Sequence, residues 1–129
     1  MMSHQTKRIL LLEPDSVLAG SITVGLINAG YEVQHVHSAQ TAVSLADSLM
    51  PDLVFCELQL TSHSGIEFLY EFRSYNDWAE IPVVIYSSVP PVEFNASSNG
   101  LTYDLKISGY LYKPETTLAE VIAWANKLT

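Results

Sequence analysis

The chain has 129 residues, with 6 Lys and Arg against 14 Asp and Glu, so its formal net charge is −8 at pH 7. This length predicts one domain, and a hydrophobic content of 48% with 16% charged residues argues against a disordered chain. The negative charge repels nucleic-acid phosphates and anionic membranes, and no apolar run reaches the roughly 20 residues of a membrane span. The single cysteine cannot form an internal disulfide. We therefore expect a soluble, cytoplasmic protein with an N-terminal tail over residues 1–6 and a single domain over residues 7–129.

The first half of the chain alternates between strand and helix patterns. Residues 7–12 contain a continuous apolar run that is typical of a strand buried on both faces. Asp15 is suited to cap a following helix, and Gly30 is suited to end it. Residues 31–36 alternate in polarity like a more exposed strand, and Ser38 then favours the start of a second helix.

The second half repeats the alternation. Residues 52–56 and 82–86 are two further apolar runs typical of buried strands, and residues 109–112 have the pattern of a last strand. Gly65 stands at the start of a third helical pattern. Thr117 and the acid three positions after it form a capping-box pattern for the final helix. The apolar positions of that helix that we expect to share one face are Leu118, Val121, Ile122, Ala125 and Leu128.

The segment between Ser87 and Tyr110 has no clean helical period. Pro90, Pro91 and Gly100 interrupt it. We expect a long loop here and a fourth helix that is shortened or irregular.

Five strand patterns separated by helix-length segments predict a parallel sheet with helices on both faces. Ligands of such a sheet bind beyond the carboxyl ends of its strands. Charged residues that directly follow apolar strands are costly unless they are paired. The sequence therefore predicts a polar pocket at this edge, formed by Glu13, Asp15, Glu57, Ser87 and Lys113.

Six segments in order resemble the receiver domain of two-component response regulators, over residues 7–128. The matching segments are ILLLEPD, GYEV, PDLVFCE, SG, IPVVIYSS and GYLYKP. The resemblance implies a three-layer α/β sandwich with a five-stranded parallel sheet in the order 2-1-3-4-5, which is a flavodoxin-like fold.

In that family a phosphoryl group passes from a kinase histidine to an aspartate, with the help of a magnesium ion. The resemblance places the phosphoacceptor at Glu57 and the acidic pair of the metal site at Glu13 and Pro14, with Asp15 just beyond. It places the phosphoryl-binding hydroxyl, the switching aromatic residue and the phosphoryl-binding lysine at Ser87, Tyr110 and Lys113.

Two of these positions depart from the family chemically. Glu57 is one methylene longer than aspartate, so its carboxylate reaches toward the place of a phosphoryl oxygen. Pro14 offers no side-chain ligand, and magnesium dehydrates reluctantly, so Glu13 and Glu57 would form at most a weak or vestigial metal site. We expect no cofactor beyond weakly bound magnesium. We also expect a direct Glu57–Lys113 ion pair, with Ser87 leaning toward it and Tyr110 turned inward.

The resulting interpretation is a signalling module without enzymatic turnover that is not phosphorylated at the usual site. It would act through protein–protein contacts with a histidine kinase or a downstream effector. A homodimer through the last strand and helix is a further expectation, with Trp124 as a candidate interface residue.

Two alternatives stay open. The first is a working phosphoacceptor that uses Glu57 or Asp15 with residual magnesium binding. The second is a flavodoxin-like protein that binds a small molecule or a nucleotide, although Glu13 and Asp15 would repel a phosphate in the first loop.

Overall fold

The computed structural model describes residues 5–60, 64–98 and 105–129. The strands β1 to β5 are Arg8–Leu12, Glu32–Val36, Leu53–Cys56, Val83–Ser87 and Ile107–Tyr112. They form one parallel sheet in the order β2-β1-β3-β4-β5. This is the predicted fold. The last strand begins before residue 109, where its clearest sequence pattern begins.

Helices cover both faces of this sheet. The α-helices α1 to α5 are Ser16–Asn28, Ala39–Leu49, Gly65–Ser74, Pro91–Ser98 and Leu118–Leu128. Short 3-10 turns lie at Asn76–Trp78 and Lys113–Glu115. None of the helices in these described ranges combines the length and the apolar character that crossing a bilayer requires.

The central strands are buried on both faces because each face supplies one hydrophobic layer. Along β1, Leu10 and Leu12 pack with α2 and α3, whereas Ile9 and Leu11 pack with α1 and α5. This alternation follows from the two-residue period of a strand, and it explains why the strand sequence is apolar without interruption. The sheet is therefore a fixed platform for the loops at its carboxyl edge.

The predicted helix caps are present. Asp15 Oδ1 accepts hydrogen bonds from the backbone N–H groups of Val17 and Leu18, at 3.0 and 3.1 Å. Gly30 follows α1 with φ +103°, a left-handed conformation that favours glycine at a helix end. Thr117 and Glu120 form both hydrogen bonds of a capping box at the start of α5.

Two expectations about the helices have different outcomes. The fourth helix is short, as expected, and Leu105 and Lys106 form a turn instead of continuing it. The long loop expected after it falls on residues 99–104, which lie outside the described residues. In α5, Leu118 was expected on the buried face, but its side chain is 42% exposed. It lies over Gly25 at the rim between α1 and α5, since it belongs to the first turn of its helix.

Candidate functional site

The side chains that follow β1, β3 and β4 are buried together at the carboxyl edge of the sheet. Glu13 and Glu57 are 1% and 2% exposed, and Ser87 is fully buried. The Glu57 backbone N–H donates to the Leu12 carbonyl oxygen at 3.0 Å, so the ladder between neighbouring strands continues to this residue. The sheet therefore carries two acids directly into its interior.

Gly65 fixes the backbone on the other side of Glu57. Its N–H donates to the Leu58 carbonyl oxygen at 2.8 Å. A Cβ atom at position 65 would overlap the carbonyl oxygen of Glu57 and lie 2.7 Å from the Leu58 Cα. Only glycine lets α3 start this close to the strand end.

The Glu57 carboxylate accepts two N–H donors on each oxygen. Its Oε1 accepts from Lys113 Nζ at 2.7 Å and from the Ser88 backbone N–H at 3.2 Å. Its Oε2 accepts from the backbone N–H groups of Leu58 and Gln59, at 2.6 and 3.2 Å. The carboxylate thus occupies an anion position to which three elements of the fold contribute donors.

Lys113 is paired with both acids. Its Nζ lies 2.7 Å from Glu57 Oε1 and 2.5 Å from Glu13 Oε1, and its side chain is only 14% exposed. The ammonium also lies 5.3 Å from the centre of the Tyr86 ring, within cation–π range. The predicted Glu57–Lys113 ion pair is present, and it is one half of a Glu13–Lys113–Glu57 triad.

The pKa values of Glu57 and Lys113 shift in opposite directions, and each shift favours the charged form of its group. Burial would raise the pKa of Glu57, but the hydrogen bonds from Lys113, from the Ser87 hydroxyl and from the Gln59 N–H hold it below the ordinary value. Burial would lower the pKa of Lys113, but its contacts with Glu13 and Glu57 raise it. Both groups are therefore ionised at neutral pH.

The neighbouring serine, Ser88, contributes contacts that the sequence did not indicate. Its hydroxyl donates to the Gln59 side-chain Oε1 at 2.9 Å and lies 3.3 Å from Glu57 Oε1. The Ser87 hydroxyl accepts from the Val89 N–H at 3.0 Å. Ser88 and Gln59 thus connect the loops after β4 and β3 above the Glu57 carboxylate.

Tyr110 packs toward α4. Its ring lies 5.4 Å from that of Phe94, in a small cluster with Leu58 and Ile85. Its hydroxyl donates to the Val89 carbonyl oxygen at 2.6 Å. The ring is therefore partly buried against α4, and its role as an inward-turned switch stays a prediction.

Asp15 does not join the acid pair. Its side chain is exposed, and its Oδ1 is committed to the α1 N–H groups. Only its backbone reaches the pocket, where its N–H donates to Glu13 Oε2 at 3.0 Å. The expectation of an acidic pocket with Asp15 is wrong, because capping the helix turns its carboxylate away.

The donor set does not fit the magnesium ion that the resemblance implies. Octahedral coordination needs free oxygen ligands, but each Glu57 oxygen already accepts two N–H donors. Pro14 supplies no side-chain oxygen, and the Lys113 ammonium contacts both the Glu13 and the Glu57 carboxylate. Within residues 5–60, 64–98 and 105–129, no three metal-binding side chains form a cluster that could hold a metal ion.

Trp124 belongs to the packing between α5 and β5. A Cβ atom at Gly109 would lie 2.7 Å from its ring, so the ring rests directly on the strand backbone. Lys127 Nζ lies 4.7 Å from the ring centre on the outer side. The ring is partly buried at the edge of the core, and its role in a homodimer stays a prediction.

The chain is similar to known regulators in sequence. It is 29% identical over 119 residues to the DNA-binding dual master transcriptional regulator RpaA of Synechocystis, covering 90% of this chain and 48% of that protein. It is 28% identical over 112 residues to the alginate biosynthesis transcriptional regulatory protein AlgB of Pseudomonas aeruginosa, covering 87% of this chain and 24% of that protein. The chain thus spans about half the length of the first relative and about a quarter of the second.

The fold also matches a solved structure. The chemotaxis protein CheY4 of Vibrio cholerae aligns with a TM-score of 0.86 at 16% identity, covering 97% of this chain and all of that one. At this identity the likeness supports the fold alone. The sequence model of the response regulator receiver domain matches residues 9–123. The chain therefore belongs to the response regulator receiver domain family.

Proposed function

We propose that this receiver domain signals through protein–protein contacts and is not phosphorylated at its usual acceptor position. The observation that carries the proposal is the environment of the Glu57 carboxylate, in which two N–H donors bind each oxygen. An acceptor must present a free oxygen lone pair to phosphorus. Here both oxygens are held within the pocket and turned toward donors.

The charge balance of the pocket supports the same proposal. Phosphoryl transfer depends mainly on positioning and on neutralising the charge of the transferred group. Lys113 is already paired with both Glu13 and Glu57, which together still carry one excess negative charge, and Pro14 offers no metal ligand. An incoming phosphoryl group would meet an occupied cation and a saturated carboxylate.

In this proposal Glu57 takes the structural part that a transient phosphoryl group takes elsewhere in the family. Its Oε1 binds the Ser88 N–H, and Tyr110 binds the carbonyl of the next residue, Val89. The loop after β4 is therefore held without a modification. A carboxylate carries less charge than a phosphoryl group and has fewer acceptor oxygens, so the held state is an intermediate mimic.

The partners that we propose are signalling proteins, a histidine kinase or a downstream effector, and the domain itself catalyses no turnover. The relatives RpaA and AlgB are named as transcriptional regulators, and RpaA as DNA-binding. The net charge of −8 favours a protein partner over nucleic acid for this chain.

The experiment is incubation of the protein with acetyl phosphate and magnesium, followed by intact-mass measurement. We expect no phosphoryl adduct on the natural chain, while a receiver with an aspartate acceptor, treated in parallel, gains one. An adduct that disappears in Glu57→Gln would overturn the proposal, and one that disappears only in Asp15→Asn would favour the alternative in which Asp15 is the phosphoacceptor.

A further inference from the structure

The Lys113 ammonium occupies a point that two buried carboxylates share. Glu13 Oε1 and Glu57 Oε1 both converge on Nζ, at 2.5 and 2.7 Å. The other oxygen of each acid faces backbone N–H groups, from Asp15 for Glu13 and from Leu58 and Gln59 for Glu57. The two acids therefore leave one common position for a positive charge.

Glu13 depends on that charge most directly. Its Oε1 is buried and forms no hydrogen bond of good geometry with any described residue, so the ammonium is its compensating contact. Two neighbouring carboxylates repel each other, and a cation that contacts both offsets this repulsion. The structure thus shows a cation position that the chain fills with its own side chain.

We propose that Lys113 is a built-in counter-cation that takes the place of a divalent metal ion. Removal of its ammonium then converts the Glu13–Glu57 pair into a divalent cation site. The inference deepens the proposed function because it concerns the same pocket, and it rests on that proposal only in taking Glu57 as unmodified.

Physical chemistry favours the tethered cation over a free one. The ammonium is held at a high effective concentration by the chain, because Lys113 follows directly on the last residue of β5. A magnesium ion must shed strongly held water to compete with it. A divalent ion would also have to displace the ammonium or share the pocket with it, at the cost of repulsion between cations.

The test compares thermal midpoints of the natural chain, Lys113→Met and Lys106→Met at neutral pH, in increasing magnesium chloride or manganese chloride at constant ionic strength. Methionine keeps much of the length and apolar character of the lysine side chain but not its charge. Lys106 is the matched control because its ion pair with Glu80 lies on the surface. We expect the midpoint of Lys113→Met to rise steadily with the logarithm of metal concentration. The natural chain and Lys106→Met are expected to stay flat.

A second variant assigns the effect to the acid pair. In Glu13→Gln/Lys113→Met one carboxylate is neutral, so the metal-dependent rise is expected to disappear. If Lys113→Met is unfolded without metal, circular dichroism during the metal titration replaces the midpoint, and recovery of helix signal supports the proposal.

Three results would overturn the inference. In the first, neither metal stabilises or refolds Lys113→Met. In the second, metal raises the thermal midpoint of the natural chain as much as that of Lys113→Met. In the third, the metal-dependent rise is undiminished in Glu13→Gln/Lys113→Met. Each readout is independent of phosphoryl transfer, so a failure here and a failure of the proposed function are distinguishable.

Discussion

The Tyr110 hydroxyl donates a 2.6 Å hydrogen bond to the carbonyl oxygen of Val89, one residue after the Ser88 N–H that donates to Glu57. The loop after β4 is therefore held from two sides, by an acid that follows β3 and by an aromatic residue on β5. A change at either end is transmitted through the backbone of only two residues. Substitutions at Tyr110 and at Glu57 therefore test the two ends of this connection.

Replacing Tyr110 by phenylalanine removes the hydroxyl and leaves the ring packing intact. We expect a loss of about 0.5–1.5 kcal/mol in the free energy of unfolding, the usual contribution of one hydrogen bond. Urea denaturation measures it. A spectroscopic titration gives a second readout. Burial, together with the charges of Glu57 and Glu93, raises the pKa of Tyr110 to about 12, against the opposing effect of the Ser87 hydroxyl. The tyrosine transition of the natural chain near pH 12 should be missing in the variant.

Replacing Glu57 by glutamine keeps the shape of the side chain and removes its charge. One side-chain oxygen becomes an N–H₂ group and faces N–H donors, and Lys113 keeps only Glu13 as its partner. We expect a loss of about 1–3 kcal/mol in the free energy of unfolding, because buried donors are left without an acceptor. Glu80→Gln, which breaks the exposed pair with Lys106, is the control and should lose less. Equal losses in the two variants would contradict a special role for the buried site.

The pH dependence of stability follows from the same ion pair. The pKa of Glu57 is lower in the folded chain than in the unfolded one, so its contribution is complete above the unfolded value of about 4.3. It is lost as the pH falls through the lower folded value. Urea midpoints of the natural chain and of Glu57→Gln should therefore converge under acid conditions.

At the alkaline end the sign is reversed. The pKa of Lys113 is raised in the folded chain, so its contribution is complete below the unfolded value of about 10.4 and is lost as the pH rises through the folded value. The Lys113→Met chain should lack this alkaline loss. A difference between the natural chain and Lys113→Met that stays constant across that range would argue against the pair.

Gly109 should not tolerate alanine. The added Cβ would lie 2.7 Å from the Trp124 ring, and the ring would have to leave the β5 backbone. We expect a cost of about 1–3 kcal/mol from overpacking, with a shift in tryptophan fluorescence. In a Trp124→Leu background the same alanine should cost less. Additive costs in that double-mutant cycle would show that the two positions do not interact.

The sequence was sufficient for the parts of the fold and site that depend on side-chain chemistry. Asp15 and Thr117 cap helices because their side chains offer acceptors to N–H groups, and this pattern is legible from residue types alone. Glu57 and Lys113 meet because the carboxyl ends of parallel strands share one edge. Each of these predictions rests on a residue type in a fixed position.

The parts that could not be predicted depend on backbone geometry. The donors from Leu58, Gln59 and Ser88 are N–H groups that every residue except proline carries, so no letter in the sequence marks them. The residue type of Asp15 suits two positions for its carboxylate, the acidic pocket and the N-terminal cap of α1. Three-dimensional geometry decides in favour of the helix cap.

Gly65 fixes the main chain from which the long side chain of Glu57 extends. The start of α3 lies so close to the Glu57 carbonyl that no Cβ fits between them, and the hydrogen bond from the Glu57 N–H to Leu12 fixes the preceding peptide group. The main chain at position 57 therefore cannot retreat to absorb a longer side chain. The added length therefore carries the carboxylate further from the main chain. The Glu57 carboxylate therefore reaches the loop amides of Leu58 and Ser88 because a residue that has no side chain holds its main chain in place.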